Sequence, residues 1–468
     1  MRYIVSVDIG TTTIRACLYD EKCRLVETCS DKIRVEISGE REVRVEIDPD
    51  ILFNQFVDVV SSVLQRCKKS DKVSLALCTQ RNSFLCWDKT TNETLTKIIC
   101  WSDGRARATC TRWNKSFTMK ALNTAGAILY FFTRQPRFMA ARMLKFLSAM
   151  VSHRVMVTIE QSEEMKYLLE KDQLGFGCLD TWLLLKLTDG KVHVAEASNY
   201  SSSGMFDPFL IADQQSALYG SGGWCRGDVK ISLGTGTFVD LNTGSSIHAS
   251  MNGLYPLVGW RLNNKPTFVA EGNDHDTAVV LKWAQSIGLF TNVSDTANMA
   301  RSVPNSNGVL FVPAFGGLQT PINDDTACCG FLGIRPDTTK AHMVRAILES
   351  IAFRVYQIFE TMRAEVQILD KPRIRICGGV AANDFICETI ASLTGNEILR
   401  MKDGGFVASR GAALLAGFAQ GVWDQSELEC MIEIDFCFIP SDEDSSNMRK
   451  AYELWLKAVQ RCSKFYEP

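Results

Sequence analysis

The chain has 468 residues, of which 46% are hydrophobic and 22% are charged, and its formal net charge is −2. This length exceeds what a single hydrophobic core usually spans, so we expect two or more domains. The nearly balanced charge argues against nucleic acid as a partner, and no apolar stretch reaches the roughly 18 residues that a membrane-spanning helix needs.

The cysteine content favours a reducing compartment. The chain holds 17 cysteines, without a C-x-x-C pair or a Cys/His cluster at zinc-binding spacing. Many lie in apolar runs, as Cys78, Cys86 and Cys387 do, where a free cysteine behaves as a small buried hydrophobe. Because Asp8 interrupts the first apolar run, we expect no signal peptide, and the cytoplasm is the simplest location.

The first half of the chain alternates between strand and helix patterns. Short apolar runs predict strands at 3–7, 15–19, 25–29, 73–78 and 84–87, the last two of them buried. Apolar residues three and four positions apart predict helices at 50–66 and 179–187, the second after a turn at 175–177.

Segment 127–138 is aromatic and basic, and two interpretations are open. It could be a surface insertion that binds a partner or a membrane. We favour an apolar strand followed by a helix from Met139, because scattered basic residues commonly solvate one face of an element.

The second half of the chain repeats the alternation. We predict a hairpin with strands at 229–233 and 238–242, a strand at 373–377, and helices at 277–285, 343–362, 409–421 and 447–466. Strand–helix alternation in both halves predicts an α/β fold with two lobes.

Two glycine-threonine turns, at 10–13 and 234–237, are the most informative feature of the sequence. Glycine lets the backbone approach a ligand closely, and threonine hydroxyls and backbone N–H groups can hold phosphate oxygens. Asp8, at the end of the first strand, could hold Mg²⁺ through water. Two such turns in one chain predict that a nucleotide triphosphate is held for phosphoryl transfer.

Two further positions could carry chemistry. Asp213 could cap a helix, which is the commoner role of a lone aspartate, or it could be a general base for a substrate hydroxyl. Gly378 and Gly379 follow a strand and precede a helix, so backbone N–H groups there could face a nucleotide. Asn383 could contact its base or ribose, although a plain strand–helix turn is the alternative.

Other common nucleotide and metal motifs are missing from the sequence. There is neither a G-x-x-x-x-G-K-[ST] loop nor a G-x-G-x-x-G fingerprint. His275 has no second histidine at metal-ligand spacing, so we expect a hydrated loop there.

The order of these motifs resembles that of the FGGY carbohydrate kinases, which are actin-like ATPases. Supporting segments extend the resemblance over nearly the whole chain, at 79–81, 179–184, 311–318 and 345–353. Within the family the chain is similar to the glycerol kinases, and segments 131–134 and 228–230 are typical of a divergent animal branch. The resemblance implies two ribonuclease-H-like domains around a central cleft, 1–227 on the substrate side and 228–468 on the nucleotide side.

The resemblance also implies the reaction and its residues. ATP, with Mg²⁺, would phosphorylate glycerol to sn-glycerol 3-phosphate, and Asp213 would be the general base. Substrate contacts would come from Arg81, Asn82, Trp101, Asp213, Gln214 and Phe238. ATP contacts would come from Thr11, Thr12, Thr13, Arg15, Gly234, Thr235, Gly378, Gly379 and Asn383. Mg²⁺ would be held by Asp8, through water, and by Asp213.

The chain departs from the family's glycerol kinases at several positions. Asn82 stands where they have glutamate, Cys377 where they have aspartate, and Ala278 where a nucleotide-side glycine is usual. Segment 127–157 has no clear match to the aromatic residue that closes over glycerol. These departures keep two alternatives open: a kinase for another small polyol or sugar, and a catalytically impaired nucleotide-binding pseudokinase.

The first domain is shortened near residue 210 relative to the family. Segment 206–210 runs almost directly into Asp213, where relatives have a longer segment. We therefore expect the first sheet to lack a strand, which would leave backbone groups unpaired at its edge. A displaced base would matter, since a shift of about 1 Å can cost roughly a hundredfold in rate.

The sequence leaves the oligomeric state open, and a homodimer is one arrangement that it allows.

Overall fold

The computed structural model describes residues 1–39, 43–134, 138, 141–142, 144–148, 150–195, 213–248, 250, 252–262, 265–366 and 372–466. Contacts divide the chain into two compact units. The first comprises Met1–Ser216, Leu257–Pro266 and Ala408–Gln425, and the second comprises Ala217–Pro256, Thr267–Val407 and Ser426–Pro468.

The strands agree closely with the alternation in the sequence. They are β1 (Arg2–Ile9), β2 (Thr13–Tyr19), β3 (Leu25–Lys32), β4 (Val35–Ser38), β5 (Arg44–Ile47), β6 (Lys72–Thr79), β7 (Phe84–Asp88), β8 (Ile98–Ile99), β9 (Leu174–Cys178), β10 (Val229–Leu233), β11 (Thr237–Gly244), β12 (Tyr255–Leu262), β13 (Lys265–Asp274), β14 (Leu310–Val312), β15 (Gly330–Leu332), β16 (Ile374–Cys377), β17 (Ile398–Met401) and β18 (Ile434–Phe438).

The α-helices cover most of the remaining described chain. They are α1 (Pro49–Leu64), α2 (Arg107–Asn114), α3 (Phe117–Thr133), α4 (Val151–Glu160), α5 (Glu163–Glu170), α6 (Leu179–Leu187), α7 (Asp213–Gly220), α8 (Ala278–Ser286), α9 (Thr296–Arg301), α10 (Lys340–Glu365), α11 (Asp384–Thr394), α12 (Val407–Ala419), α13 (Gln425–Leu428) and α14 (Asp442–Cys462). No helix in the described part of the chain is long and apolar enough to cross a membrane.

The central sheet of each unit follows the same plan. In the first unit the order is β3-β2-β1-β6, with antiparallel pairs up to β1 and a parallel β1–β6 pair. In the second sheet the order β13-β11-β10-β16-β17 repeats this plan and adds a further parallel pair, and β12 and β18 complete its two edges. The predicted α/β class is therefore confirmed.

Among the described residues, β6 ends the first sheet, whereas the corresponding β16 is followed by β17. The missing strand stays a prediction, because the residues before Asp213 are not described. The shortened link near 210 lies outside the described residues.

Helix α1 shows why the local sequence forms these elements. Asp48 caps its first turn by accepting hydrogen bonds from the N–H groups of Asp50 and Ile51, each at 3.0 Å, and Pro49 occupies the first helical position. Its buried residues recur at helical spacing and pack into the core of the first sheet; they are Leu52, Phe56, Val59 and Val63.

Two local predictions were wrong. Ala127–Thr133 is the end of the 17-residue helix α3, not a strand, and Met139 lies outside the described residues. The expected turn at 175–177 is strand β9, which pairs with β7. Glycine is needed there because a Cβ at Gly175 would overlap the indole of Trp87.

Candidate active site

The first glycine-threonine turn is the tight connection between β1 and β2. The Gly10 N–H donates to the carbonyl oxygen of Thr13 at 3.0 Å, and Asp8 lies opposite Arg15 in the β1–β2 register. Thr12 is exposed, whereas Thr11 is half-buried. The turn therefore holds threonine hydroxyls at the carboxyl end of β1.

Strand β6 ends beside this turn because it runs parallel to β1. The Gln80 N–H donates to the carbonyl oxygen of Ile9 at 2.8 Å, which continues the pairing past the end of β6. Arg81 and Asn82 follow and are both half-buried. Asn82 has a φ of +57°, a left-handed conformation that asparagine tolerates better than most residues. Two predicted substrate residues thus lie at the same sheet end as the first turn.

Trp101 connects the substrate side to the first turn. Its indole N–H donates to the hydroxyl of Thr11 at 2.9 Å, and its backbone N–H donates to the hydroxyl of Ser83 at 3.1 Å. A predicted substrate residue and a predicted phosphate residue therefore share a hydrogen bond within one unit.

Arg154, on α4, holds these segments in place and was missed in the sequence. The side chain is fully buried, and its guanidinium donates to the carbonyl oxygen of Asn82 at 2.8 Å and to that of Cys100. Burial lowers the pKa of Arg154 to about 10, so the group stays cationic at neutral pH. The available signal was an arginine on the same apolar helix face as Val151 and Val155.

Asp213 lies in helix α7 (Asp213–Gly220), and neither the capping nor the general-base interpretation is tested. The side chain of Asp213 lies outside what the structure describes. Gln215, two residues later, is fully buried, and its side-chain amide has no hydrogen-bond partner among the described residues. The side-chain amide of Gln80 is also buried and has none in the described part of the chain. Because an unpaired buried amide is costly, these two side chains are polar positions that suit a ligand or a water molecule.

The second glycine-threonine turn connects β10 to β11 in the other unit. The Gly234 N–H donates to the carbonyl oxygen of Gly236 at 2.9 Å. The carbonyl oxygen of Thr235 accepts from the N–H groups of Thr277 and Ala278, at 3.3 and 3.1 Å. The turn is thereby held against the start of α8, and Thr235 is exposed. Predicted substrate residue Phe238 follows on β11 and is half-buried.

The Gly378–Gly379 segment packs behind this turn. Gly378 has a φ of +98°, and a Cβ there would overlap the carbonyl oxygen of Leu233, whereas a Cβ at Gly379 would meet open space. Asn383 caps α11 by accepting from the Ile386 N–H at 3.3 Å. Its amide also donates to the hydroxyl of Thr296 at 2.9 Å. These contacts fit the plain strand–helix turn; a nucleotide contact from Asn383 stays a prediction.

Buried polar groups lie beneath the second turn. Lys230 and Asp240 form a fully buried ion pair of 2.5 Å between β10 and β11. The thiol of Cys377 lies 3.3 Å from the hydroxyl of Ser232. Burial raises the pKa of this thiol, so Cys377 is neutral at physiological pH.

His275 lies in the loop between β13 and α8, as expected, and is half-buried, whereas the neighbouring Asp274 and Asp276 are buried. The backbone N–H of His275 donates to the side-chain oxygen of Gln319 at 3.0 Å, and burial lowers the pKa of the His275 imidazole. Asp274 forms a buried ion pair with Arg354 at 3.0 Å. The carboxylate of Asp276 accepts from the Gly316 N–H at 2.9 Å. Burial, reinforced by the charge of Asp274, raises the pKa of Asp276 to about 6.

Comparisons with known proteins place the whole chain in one family. The N-terminal domain model of the FGGY family of carbohydrate kinases matches residues 3–209, and the C-terminal domain model matches residues 229–420. The chain therefore belongs to the FGGY family and is a sugar or glycerol kinase. The predicted family, glycerol-kinase type and enzyme class are confirmed.

Two curated relatives are glycerol kinase 5 of Danio rerio and of Homo sapiens. The first is 39% identical over 520 residues, covering 99% of this chain and 97% of that protein; the second is 36% identical over 513 residues, covering 99% and 96%. Both alignments are longer than the 468 residues of this chain. The relatives therefore contain residues without a counterpart here, as the predicted shortening requires.

Solved structures confirm the predicted actin-like fold. A crystal structure of Plasmodium falciparum glycerol kinase with ADP superposes with a TM-score of 0.83 at 23% identity, covering 99% of this chain and 98% of that one. Xylulose kinase from Lactobacillus acidophilus gives a TM-score of 0.77 at 17% identity, covering 100% and 99%.

Proposed function

We propose that this protein transfers the γ-phosphoryl group of ATP to a primary hydroxyl of glycerol, giving sn-glycerol 3-phosphate. The substrate residues would come chiefly from domain 1–227, and the nucleotide residues chiefly from domain 228–468. The relatives named glycerol kinase 5 support the choice of glycerol.

The hydrogen bond between Trp101 and Thr11 carries this proposal. A polyol lying on the face of Trp101 would have a hydroxyl close to the first glycine-threonine turn, because the indole N–H bonds the Thr11 hydroxyl at 2.9 Å. Arg154 holds the backbone next to Trp101 by donating to the carbonyl oxygens of Cys100 and Asn82. Such positioning is a large part of phosphoryl-transfer catalysis, which needs little covalent chemistry from the protein.

The nucleotide residues are assigned by their chemistry. Hydroxyl and N–H groups of the two turns would hold phosphate oxygens, and the open space over Gly379 would admit the adenosine. ADP in the Plasmodium falciparum enzyme supports ATP as the donor. ATP contacts are proposed for Thr11, Thr12, Thr13, Arg15, Gly234, Thr235, Gly378, Gly379 and Asn383.

Asp8 is the residue in the described chain that best fits a water-mediated Mg²⁺ contact. It is half-buried at the end of β1, and no group of three or more metal-binding side chains occurs among the described residues. This donor set suits Mg²⁺, which takes few carboxylates and completes its shell with phosphate and water. When bound, the ion neutralises charge on the phosphates; Asp213 is its second proposed contact.

Asp213 would accept the proton of the attacking hydroxyl. Arg81, Asn82 and Gln214 would hold the other hydroxyls of the substrate. Trp101 and Phe238 would contact its carbon atoms. The uncharged Asn82 favours a second candidate, a kinase for another small polyol or sugar, because an amide orients a hydroxyl without adding charge.

Replacement of Asp213 by asparagine tests the assignment. Asp213→Asn should lower kcat with glycerol by about 10²- to 10⁴-fold. It should leave the affinity for ATP, measured by calorimetry without Mg²⁺, within about twofold, because Asp213 is proposed to contact the metal ion and not ATP. Asp172→Asn is the matched control, since the Asp172 side chain is 97% exposed. Unchanged turnover in Asp213→Asn would refute the base.

The wild-type protein separates the remaining alternatives. ADP release should be screened with glycerol and with other polyols and sugars. Turnover with another acceptor and none with glycerol would select the second candidate. ATP binding without turnover on any acceptor would refute kinase activity and favour the pseudokinase.

A further inference from the structure

Helix α3 exposes apolar side chains where a surface helix usually carries polar ones. Its exposed large hydrophobic residues are Phe117, Leu122, Ile128, Leu129, Phe131 and Phe132. At about 100° per residue they span roughly half the circumference of the helix. Phe117 and Phe132, with exposed fractions of 87% and 77%, lie at its two ends. A contiguous apolar face of this kind marks an interaction surface.

The opposite face of α3 is fixed against the protein. Met119 and Gly126 are buried there. The Asn123 amide donates to the carbonyl oxygens of Ala141 and Leu144 at 2.9 and 3.1 Å. A Cβ at Gly126 would lie 2.7 Å from the backbone nitrogen of Arg142, so the backbones approach closely. The helix is therefore held with its apolar face outward.

The charged residues in the surrounding sequence are all basic. Between Gly104 and Ile159 there are ten lysines and arginines and no aspartate or glutamate, in a chain whose net charge is −2. Seven of these cations are exposed and have no carboxylate partner among the described residues; they are Arg107, Arg112, Lys115, Lys120, Arg134, Arg142 and Lys145. The apolar helix thus lies within a stretch of sequence whose charged residues are all cationic.

We propose that the outer face of α3 binds the surface of a membrane that contains anionic phospholipids. The helix would lie in the plane of the interface, with its aromatic and aliphatic side chains among the headgroups and upper acyl chains. The exposed cations would meet lipid phosphates and carboxylates, each contributing to binding near the surface.

The charge of the patch favours a lipid surface over a second copy of this chain. A symmetric contact between two copies of α3 would bring the same uncompensated cations together. An anionic bilayer supplies both an apolar layer and the opposite charge. The proposal concerns a surface outside the proposed catalytic residues, so it does not depend on the substrate.

Vesicle flotation tests the proposal on the full chain. The protein should float with phosphatidylcholine vesicles that contain about a third phosphatidylserine and stay unbound with pure phosphatidylcholine. Binding should fall at about 0.5 M NaCl, where charges are strongly screened. The double variant I128E/F132E should bind these vesicles at least roughly tenfold more weakly, because two apolar groups are lost from the contact.

A matched double variant provides the control. I439E/F465E changes the same residue types at positions that are 72% and 63% exposed outside α3, and it should bind as the wild type does. Thermal melting and kinase turnover should be unchanged in I128E/F132E, which excludes misfolding as the cause.

Three results would overturn the proposal. One is absence of binding to anionic vesicles, and another is binding that I128E/F132E leaves intact. The third is a wild-type dimer, detected by light scattering after size exclusion, that I128E/F132E dissociates, since a second copy would then cover this face.

Discussion

Replacing Asp276 by asparagine should stabilise the protein at alkaline pH and change little at acid pH. Asp276 is 5% exposed, beside the second glycine-threonine turn. Burial and the neighbouring Asp274 raise the pKa of Asp276 from 3.8 to about 6. Asparagine keeps an oxygen that can accept the Gly316 N–H, and it carries no charge.

The sign and size of the effect follow from proton linkage. The folded protein holds the Asp276 proton more tightly than the unfolded chain does. The stabilisation from this group is therefore complete below about pH 4 and is lost as the pH rises through about 6. A shift of roughly two units corresponds to about 3 kcal/mol of unfolding free energy, at about 1.4 kcal/mol per unit. Asp276→Asn should regain most of this above pH 7.

Urea denaturation of the two proteins at about pH 4.5 and pH 8 measures this difference. Asp274→Asn is the matched control. It should destabilise the fold at both pH values, by about 3–5 kcal/mol, because it leaves the buried Arg354 cation without its carboxylate partner. Equal gains from Asp276→Asn at both pH values, or no gain at pH 8, would refute the reasoning.

Two further predictions concern the backbone around the site. Arg154→Met should lower the free energy of unfolding by about 2–6 kcal/mol, since the carbonyl groups of Asn82 and Cys100 lose a buried donor. It should also raise KM for the acceptor. Urea denaturation measures the first effect and steady-state kinetics the second, and unchanged values would contradict a positioning role. Gly378→Ala should destabilise the fold by at least about 2 kcal/mol, because a Cβ would overlap the carbonyl oxygen of Leu233. The control is Gly379→Ala, whose Cβ meets open space. Equal melting temperatures for the two variants would contradict the steric argument.

Segment 127–133 shows where pattern reading failed. A short apolar run with aromatic residues has no decisive period, so strand and helix are hard to separate. The helix instead begins at a cap eleven residues before Ala127, where the Ser116 hydroxyl accepts from the Met119 N–H at 3.3 Å. Packing against a later segment at Gly126 completes it.

The sequence by itself determined the alternating elements, the two glycine-threonine turns and the family. These depend on residues that are close in the chain, such as the run that forms β1 and its Gly10 turn. Motif order then extended the local signals to the whole chain.

Only the tertiary structure decided how the substrate side is assembled. Arg154 binds carbonyl groups 72 and 54 residues away in the chain, and Trp101 binds Thr11 across 90 residues. Backbone carbonyls carry no sequence signature, so no local pattern could identify these partners. The raised pKa of Asp276 and the outward apolar face of α3 likewise depend on burial, which is set by packing between distant segments.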